Sequence, residues 1–324
     1  MNKIFQAATA AIALGIASTS AGFAEDWDMP TPYPDKTFHT VNIQQFADDV
    51  REATNGELNI KLHTAGSLIK HGEIKNSVRN QIVPAGEFFL SLLANEDPAF
   101  GIDSLPLVAV SYQDAARLWE AQKPVVEELL AKQRLKPLFS VPWPPQGLYT
   151  KKEVKTVADL NGLKFRSYNA NLEKFATMVG AAPTQVEAPD IPQAFATGQV
   201  EAMITSPSTG ANSKAWDFIS HYTPINAWVP KNIVVVNVAA FNALDEETQA
   251  AVLKAAAEAE ERGWNMSRRE AEEKTQVLAD NGVTIVEPSQ ELKDGLAKVG
   301  VELLADWRAN STPAADAVVD AYFQ

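Results

Sequence analysis

The chain has 324 residues, 46% hydrophobic and 21% charged, a globular composition with room for one large domain or two ordinary ones. Its 28 Lys and Arg against 41 Asp and Glu give a formal charge of −13, so nucleic acid is not an expected partner, nor is an anionic membrane surface. Cysteine is absent, which excludes disulfides, thiolate nucleophiles, zinc–cysteine sites and iron–sulfur clusters, and only His39, His63, His71 and His221 supply imidazole.

The first 24 residues read as an address. Lys3 gives a positive start, an apolar stretch runs from about Ala7 to Ala17, and small residues lead to Gly22-Phe23-Ala24. That is the pattern of a secretory signal peptide, with cleavage expected after Ala24. The apolar stretch is shorter than the about 20 residues a permanent membrane helix needs. No later segment reaches that length without charges, so no direct membrane anchor is expected.

Beyond it, short β-rich runs alternate with amphipathic helical segments, which predicts α/β architecture with helices covering sheets. A helix is expected from Ile43 to Ala53, stopped by Asn55-Gly56, followed by a half-buried strand over Leu58–His63. A second helix, about Gly72 to Asn80, leads to apolar runs at Ile82-Val83 and Phe88–Leu90. Leu163–Arg166, Glu201–Thr205 and Ile233–Asn237 read as further strands. The four consecutive β-branched residues from Ile233 to Val236 predict a strand buried on both faces.

A very long helical pattern follows, from about Asp245 to Ala279, with Asp245 as N-cap, Glu246 and Glu247 at the positive end, and Asn281-Gly282 as terminator. A continuous helix of that length spans roughly 50 Å, longer than an ordinary domain is wide, and so should run across two lobes. An antiparallel pair broken near Arg262-Gly263 is the alternative.

Catalytic signatures are missing. Neither a GxxxxGK[ST] loop, a GxGxxG fingerprint nor a GxSxG elbow occurs, and His63 and His71 lack the spacing of a metal pair. No metal and no cofactor are expected. Carboxylates such as Glu87, Glu96 and Asp97 are too common in so acidic a chain to mark a site on their own.

One constellation remains. Arg166 ends an expected strand, after Asn161-Gly162 and before Tyr168-Asn169, and strand C-termini of open α/β sheets are where ligands collect. Its rigid, always-charged fork suits the two oxygens of a carboxylate, although an ion pair with a nearby acid would explain it equally well. Thr205, Ser206, Ser208 and Thr209 end another strand and offer hydroxyls. Trp27, Tyr33, Trp143 and Trp228 lie near expected strand ends, where flat apolar walls suit a ligand with an apolar body.

Five segments in order give these features a family. They are Leu62–Leu68 (LHTAGSL), Asp103–Leu107 (DSLPL), Val157–Arg166 (VADLNGLKFR), Gly180–Thr184 (GAAPT) and Ala194–Ala202 (AFATGQVEA). In this spacing the chain resembles the solute-binding subunits of tripartite ATP-independent periplasmic (TRAP) transporters across essentially the whole length after the leader. The resemblance implies a periplasmic binding protein of two α/β lobes around a cleft, with a long helix spanning both. The division expected is 25–147 plus about 233–265 for one lobe, and 148–232 plus about 266–324 for the other. It also implies a non-enzymatic receptor that captures an organic acid by hinge closure and delivers it to integral-membrane TRAP permease subunits.

On this resemblance the family's ligand-gripping arginine is Arg166, with Asn169 and Thr205 at positions that contact ligand. A second arginine carried by many members is replaced by Gln146, which argues for a monocarboxylate; an aromatic or 2-oxo acid is favoured. The expected site is therefore Arg166, Asn169, Thr205, Ser206, Trp143, Gln146, Tyr33 and Trp228. Two other classes stay open: a periplasmic module that senses ligand for a membrane kinase, and an exported carboxylate-processing enzyme using a base such as Glu87.

Overall fold

The computed structural model describes residues 25–324; the expected signal peptide lies outside the described residues. The chain begins with strand β1 (Glu25–Pro30), helix α1 (Phe38–Ala53), β2 (Leu58–His63), α2 (His71–Arg79) and β3 (Ala85–Phe89). Helix α3 (Tyr112–Ala131) leads to β4 (Leu135–Pro142), and a short crossing reaches β5 (Gly147–Thr150). There follow β6 (Lys164–Ser167), α4 (Ala170–Met178), β7 (Ala182–Gln185), α5 (Ile191–Ala196), β8 (Ala202–Thr205), α6 (Pro207–Asn212) and β9 (His221–Thr223). A second crossing returns the chain to β10 (Lys231–Asn237) and α7 (Val238–Ala243). Helix α8 (Glu246–Asp280), β11 (Thr284–Ile285), α9 (Gln290–Ala309) and α10 (Pro313–Phe323) complete it.

The strands sort into two lobes, as expected. One holds the parallel pair β1–β2 and the antiparallel sheet β3–β10–β4; the other holds a mixed sheet ordered β11–β9–β5–β8–β6–β7. The β-branched run in β10 has the predicted environment. Val234 and Val236 enter the core shared with α1 and α8, while Ile233 and Val235 enter the opposite core with Phe88 and Trp119. With both faces covered, each such side chain contributes about 1.5–3 kcal/mol through burial. The six-stranded sheet is likewise packed on both sides: Leu148, Phe165 and Ile204 face one core, Tyr149, Met203 and Tyr222 the other.

Helix α8 is unbroken over 35 residues, so the alternative of a helical pair does not hold. Asp245 caps it by accepting from the Thr248 amide at 2.8 Å. Along its length it packs first on α1 and β4, then on α6 and β11, and so joins both lobes. Gly263 marks a close approach rather than a break. A Cβ there would lie 2.8 Å from Asn42 Nδ2 and collide with Val141. Removing the side chain lets the helix lie against α1 and β4 without interruption.

The two crossings pair with each other. The Trp143 amide donates to the Pro230 carbonyl (2.8 Å), the Gln146 amide to Trp228 (3.0 Å), and the Ala227 amide to Gln146 (2.9 Å). Trp143, Gln146 and Pro230 thereby sit on a two-stranded ribbon between the lobes, at the base of the cleft.

Candidate ligand-binding site

A cavity of about 450 Å³, its opening included, lies where the lobes meet. The first lobe supplies Tyr33, His71 and Phe89, the crossing ribbon Trp143, Gln146 and Pro230, and the second lobe Arg166, Tyr168, Glu187, Ala188, Thr205 and Thr209. Rings dominate the first side: Tyr33 stands edge-on to Trp143 at 5.0 Å and to His71 at 5.7 Å, and Phe89 edge-on to Tyr168 at 5.5 Å.

Arg166 reaches this cavity from β6, the strand introduced by the Asn161-Gly162 turn. Gly162 adopts φ +78°, a conformation glycine takes without a Cβ penalty. Strand β6 runs parallel to β7 and β8, with Arg166 opposite Thr184 and Met203. The guanidinium is buried and lies 4.9 Å from the Tyr168 ring centroid, a cation–π arrangement. Its Nε–H donates to the Val186 carbonyl at 3.0 Å. Among the described residues no carboxylate pairs with Arg166 within 4.0 Å, which sets aside the purely structural ion pair. Burial lowers its pKa to about 10, offset in part by Tyr168, Glu187 and Tyr33, and leaves it a cation at neutral pH. A charge held this way, tethered through Nε and lining the cavity, is chemically suited to an anion entering it.

A model of the bacterial extracellular solute-binding proteins, family 7, matches residues 31–309. The chain belongs to this family, and it is a TRAP solute-binding subunit. Among solved structures, a Bordetella pertussis extracytoplasmic solute receptor binding pyroglutamic acid is 41% identical, with a TM-score of 0.91 over 93% of this chain and 100% of that one. A TRAP solute-binding protein from an unidentified marine microbe, specific for pyroglutamate, is also 41% identical, with a TM-score of 0.90 over 93% and 99%. A monocarboxylate 2-oxoacid-binding periplasmic protein of Nostoc is 27% identical over 86% of this chain and 78% of its own length.

In this solute-binding protein, five of the eight expected site residues line the cavity: Tyr33, Trp143, Gln146, Arg166 and Thr205. Three do not. Asn169 caps α4, accepting from the Leu172 amide at 2.8 Å, and its Nδ2 donates to Ser91 Oγ at 2.9 Å on the other lobe. Ser206 is spent on capping α6, accepting from the Thr209 amide at 3.0 Å. Trp228 is fully buried one layer back, where its Nε1–H donates to the Tyr168 hydroxyl at 3.1 Å. Trp27 belongs to the core of the first lobe, because alternation along β1 sends it inward with Met29.

Gln146 does not contribute a free amide. Its Nε2 donates to the Pro144 carbonyl at 2.7 Å, and its Oε1 accepts from the Tyr168 hydroxyl at 3.0 Å. It therefore orients Tyr168, the ring over which Arg166 lies. Tyr168, Phe89, His71, Glu187, Ala188 and Pro230 line the cavity without having been expected there, and Thr209, marked with Thr205 for its hydroxyl, lines it too. The Glu187–His71 contact, at 3.4 Å between residues far apart in the chain, carries no local sequence signal.

Glu87 stays behind the aromatic wall. Asn232 Nδ2 donates to its carboxyl at 2.6 Å, the Thr31 hydroxyl donates to the other oxygen, and His39 Nδ1 stands 3.5 Å away. The Asn232 carbonyl oxygen accepts from both the Trp143 indole (2.9 Å) and the Tyr33 hydroxyl (3.3 Å). The wall is thus pinned from behind by a polar network that does not open into the cavity. Burial pushes the Glu87 carboxyl up to about 7 and holds His39 well below the ordinary imidazole value.

Proposed function

We propose that this protein is a periplasmic receptor that captures a small cyclic monocarboxylate, pyroglutamate in the first place, and passes it unchanged to integral-membrane TRAP permease subunits. The observation that carries this reading is the buried Arg166 cation, unmatched by any carboxylate among the described residues and facing an aromatic-sided cavity. Gln146 in place of a second cation favours one carboxylate over two. A flat five-membered ring suits the space between Tyr33, Trp143, Phe89 and Tyr168. The pyroglutamate-binding relatives, similar over nearly their whole length, support the same choice.

Hinge closure along the paired crossings is part of the proposal, as is the division into lobes 25–147 with 233–265 and 148–232 with 266–324. So are export to the periplasm and a transport rather than catalytic role. An enzymatic reading through Glu87 lacks support, since that carboxyl is sealed behind Trp143 and Asn232. A 2-oxo acid is the second reading, favoured by the Nostoc relative.

Titration calorimetry with pyroglutamate, pyruvate, phenylpyruvate and succinate tests the choice. Pyroglutamate is expected to bind tightest and, because ligand binds only the folded state, to raise the melting temperature. Tighter binding of a 2-oxo acid would move the assignment to the second reading, and tighter binding of succinate would overturn the monocarboxylate reading.

A further inference from the structure

We infer that Glu187 selects the ligand: its carboxylate accepts a hydrogen bond from a ring N–H beside the bound carboxyl group, and its charge turns dicarboxylates away. The inference deepens the receptor reading above and rests on it.

Glu187 directly follows Val186, whose carbonyl tethers the Arg166 guanidinium. A cation and an anion therefore rim one cavity side by side, coupled electrostatically yet not paired. That is the complement of a molecule that is anionic at one end and donates a hydrogen bond next to it. The Tyr33 and Tyr168 hydroxyls and the Gln146 amide already donate within the protein, whereas an ionised carboxylate on this rim only accepts.

His71 fixes both the position and the charge of this acceptor from the opposite lobe. The Phe89 amide donates to His71 Nε2 at 3.0 Å, so the neutral ring carries its proton on Nδ1, 3.4 Å from Glu187 Oε2. This hydrogen bond is the first cause holding the Glu187 carboxyl below its ordinary pKa against the opposing effect of burial, with smaller electrostatic pulls from His71, Arg166 and Lys70. His71 occupies one side of the carboxylate and leaves further lone pairs for a guest. A lactam N–H satisfies one. The ring oxygen of the matching lactone sets acceptor against acceptor, and a second carboxylate sets like charge against like.

The test is calorimetry on the full chain with three probes: pyroglutamate, its lactone counterpart 5-oxotetrahydrofuran-2-carboxylate, and glutarate. The unaltered protein is expected to prefer the lactam over the lactone by roughly tenfold or more, as one charge-assisted hydrogen bond implies. Glu187→Ala should erase that preference by weakening the lactam alone, and Glu187→Gln should strengthen glutarate binding by about tenfold. Glu187 is about half exposed, so both variants are expected to fold, with melting curves as the check. Equal weakening of lactam and lactone in Glu187→Ala would reduce the residue to a latch between lobes and overturn the inference, as would a preserved preference. Failure of the unaltered protein to bind pyroglutamate would instead overturn the choice of pyroglutamate as its ligand, and this inference with it.

Discussion

The two sides of the cleft are built on opposite terms. On the first lobe, Tyr33 and Trp143 share the Asn232 carbonyl oxygen, and Asn232 is itself held by Glu87, so the rings are fixed before any ligand arrives. On the second lobe, Arg166 has a tether but no counter-ion among the described residues, and Glu187 stands beside it without closing the pair. A finished wall faces an unfinished one. On the proposed reading, shape comes from the side whose polar groups are satisfied, and binding energy from the side where the Arg166 cation meets the ligand. Preorganisation of the first lowers the ordering that the second must impose on binding.

The sharpest way to break this contrast is to remove the waiting charge. Arg166→Ala should cost roughly 2–5 kcal/mol of binding, because the ligand carboxylate then enters a buried site without its cation. That corresponds to a dissociation constant raised roughly 30-fold to several thousandfold. Calorimetry finding it unchanged would take Arg166 out of the site. Folding loses the tether to the Val186 carbonyl and the contact with Tyr168 but no ion pair among the described residues, and melting curves separate that cost from the loss of binding.

The first wall is probed by pH. The folded pKa of Glu87 is raised to about 7, so the neutral carboxyl is the form the fold accommodates. Its contribution to stability is complete below the unfolded value near 4.5 and is lost as pH rises through about 7. Glu87→Gln keeps a neutral polar group and escapes that loss. The melting temperature of the variant relative to the unaltered protein should therefore climb between pH 5 and pH 8. At roughly 1.4 kcal/mol per pKa unit, the swing is on the order of 3 kcal/mol. His39 titrates in the opposite sense, losing stability as pH falls below its ordinary value, and, lying 3.5 Å from Glu87, it is read together with that carboxyl in the difference. A flat difference would mean that Glu87 is not accommodated neutral behind Trp143.

The sequence exposed these two walls unequally. The β-branched run of β10 and the capped, glycine-bearing α8 were legible because periodicity and end signals are local, and Arg166 because it sits at a strand end inside a recognisable segment. Trp27, Trp228 and Trp143 could not be separated in the same way. A tryptophan near a strand end announces burial, but only strand alternation and the paired crossings decide that Trp143 faces the cleft while the others face the core. Ser206 and Asn169 are expected at the ligand, yet their side chains cap helix ends, a competing use that residue type alone does not resolve. Glu187 and His71 meet only through closure of the fold.

Asn169 offers the finest division between the two walls, because it holds a helix end and a contact between lobes at once. Asn169→Ala removes the acceptor for the Leu172 amide and the donor to Ser91 Oγ. Loss of an N-cap side chain costs about 1 kcal/mol of stability, read as a small fall in melting temperature. Asn169→Asp retains the capping acceptor but replaces the donor to Ser91 with a carboxylate oxygen, which the serine hydroxyl must turn to meet. If Asn169 acts mainly on the helix, the aspartate variant regains the lost stability and both variants bind ligand within a fewfold of the unaltered protein. If the contact with Ser91 holds the closed cleft, ligand binding falls in both variants while only the alanine one melts early.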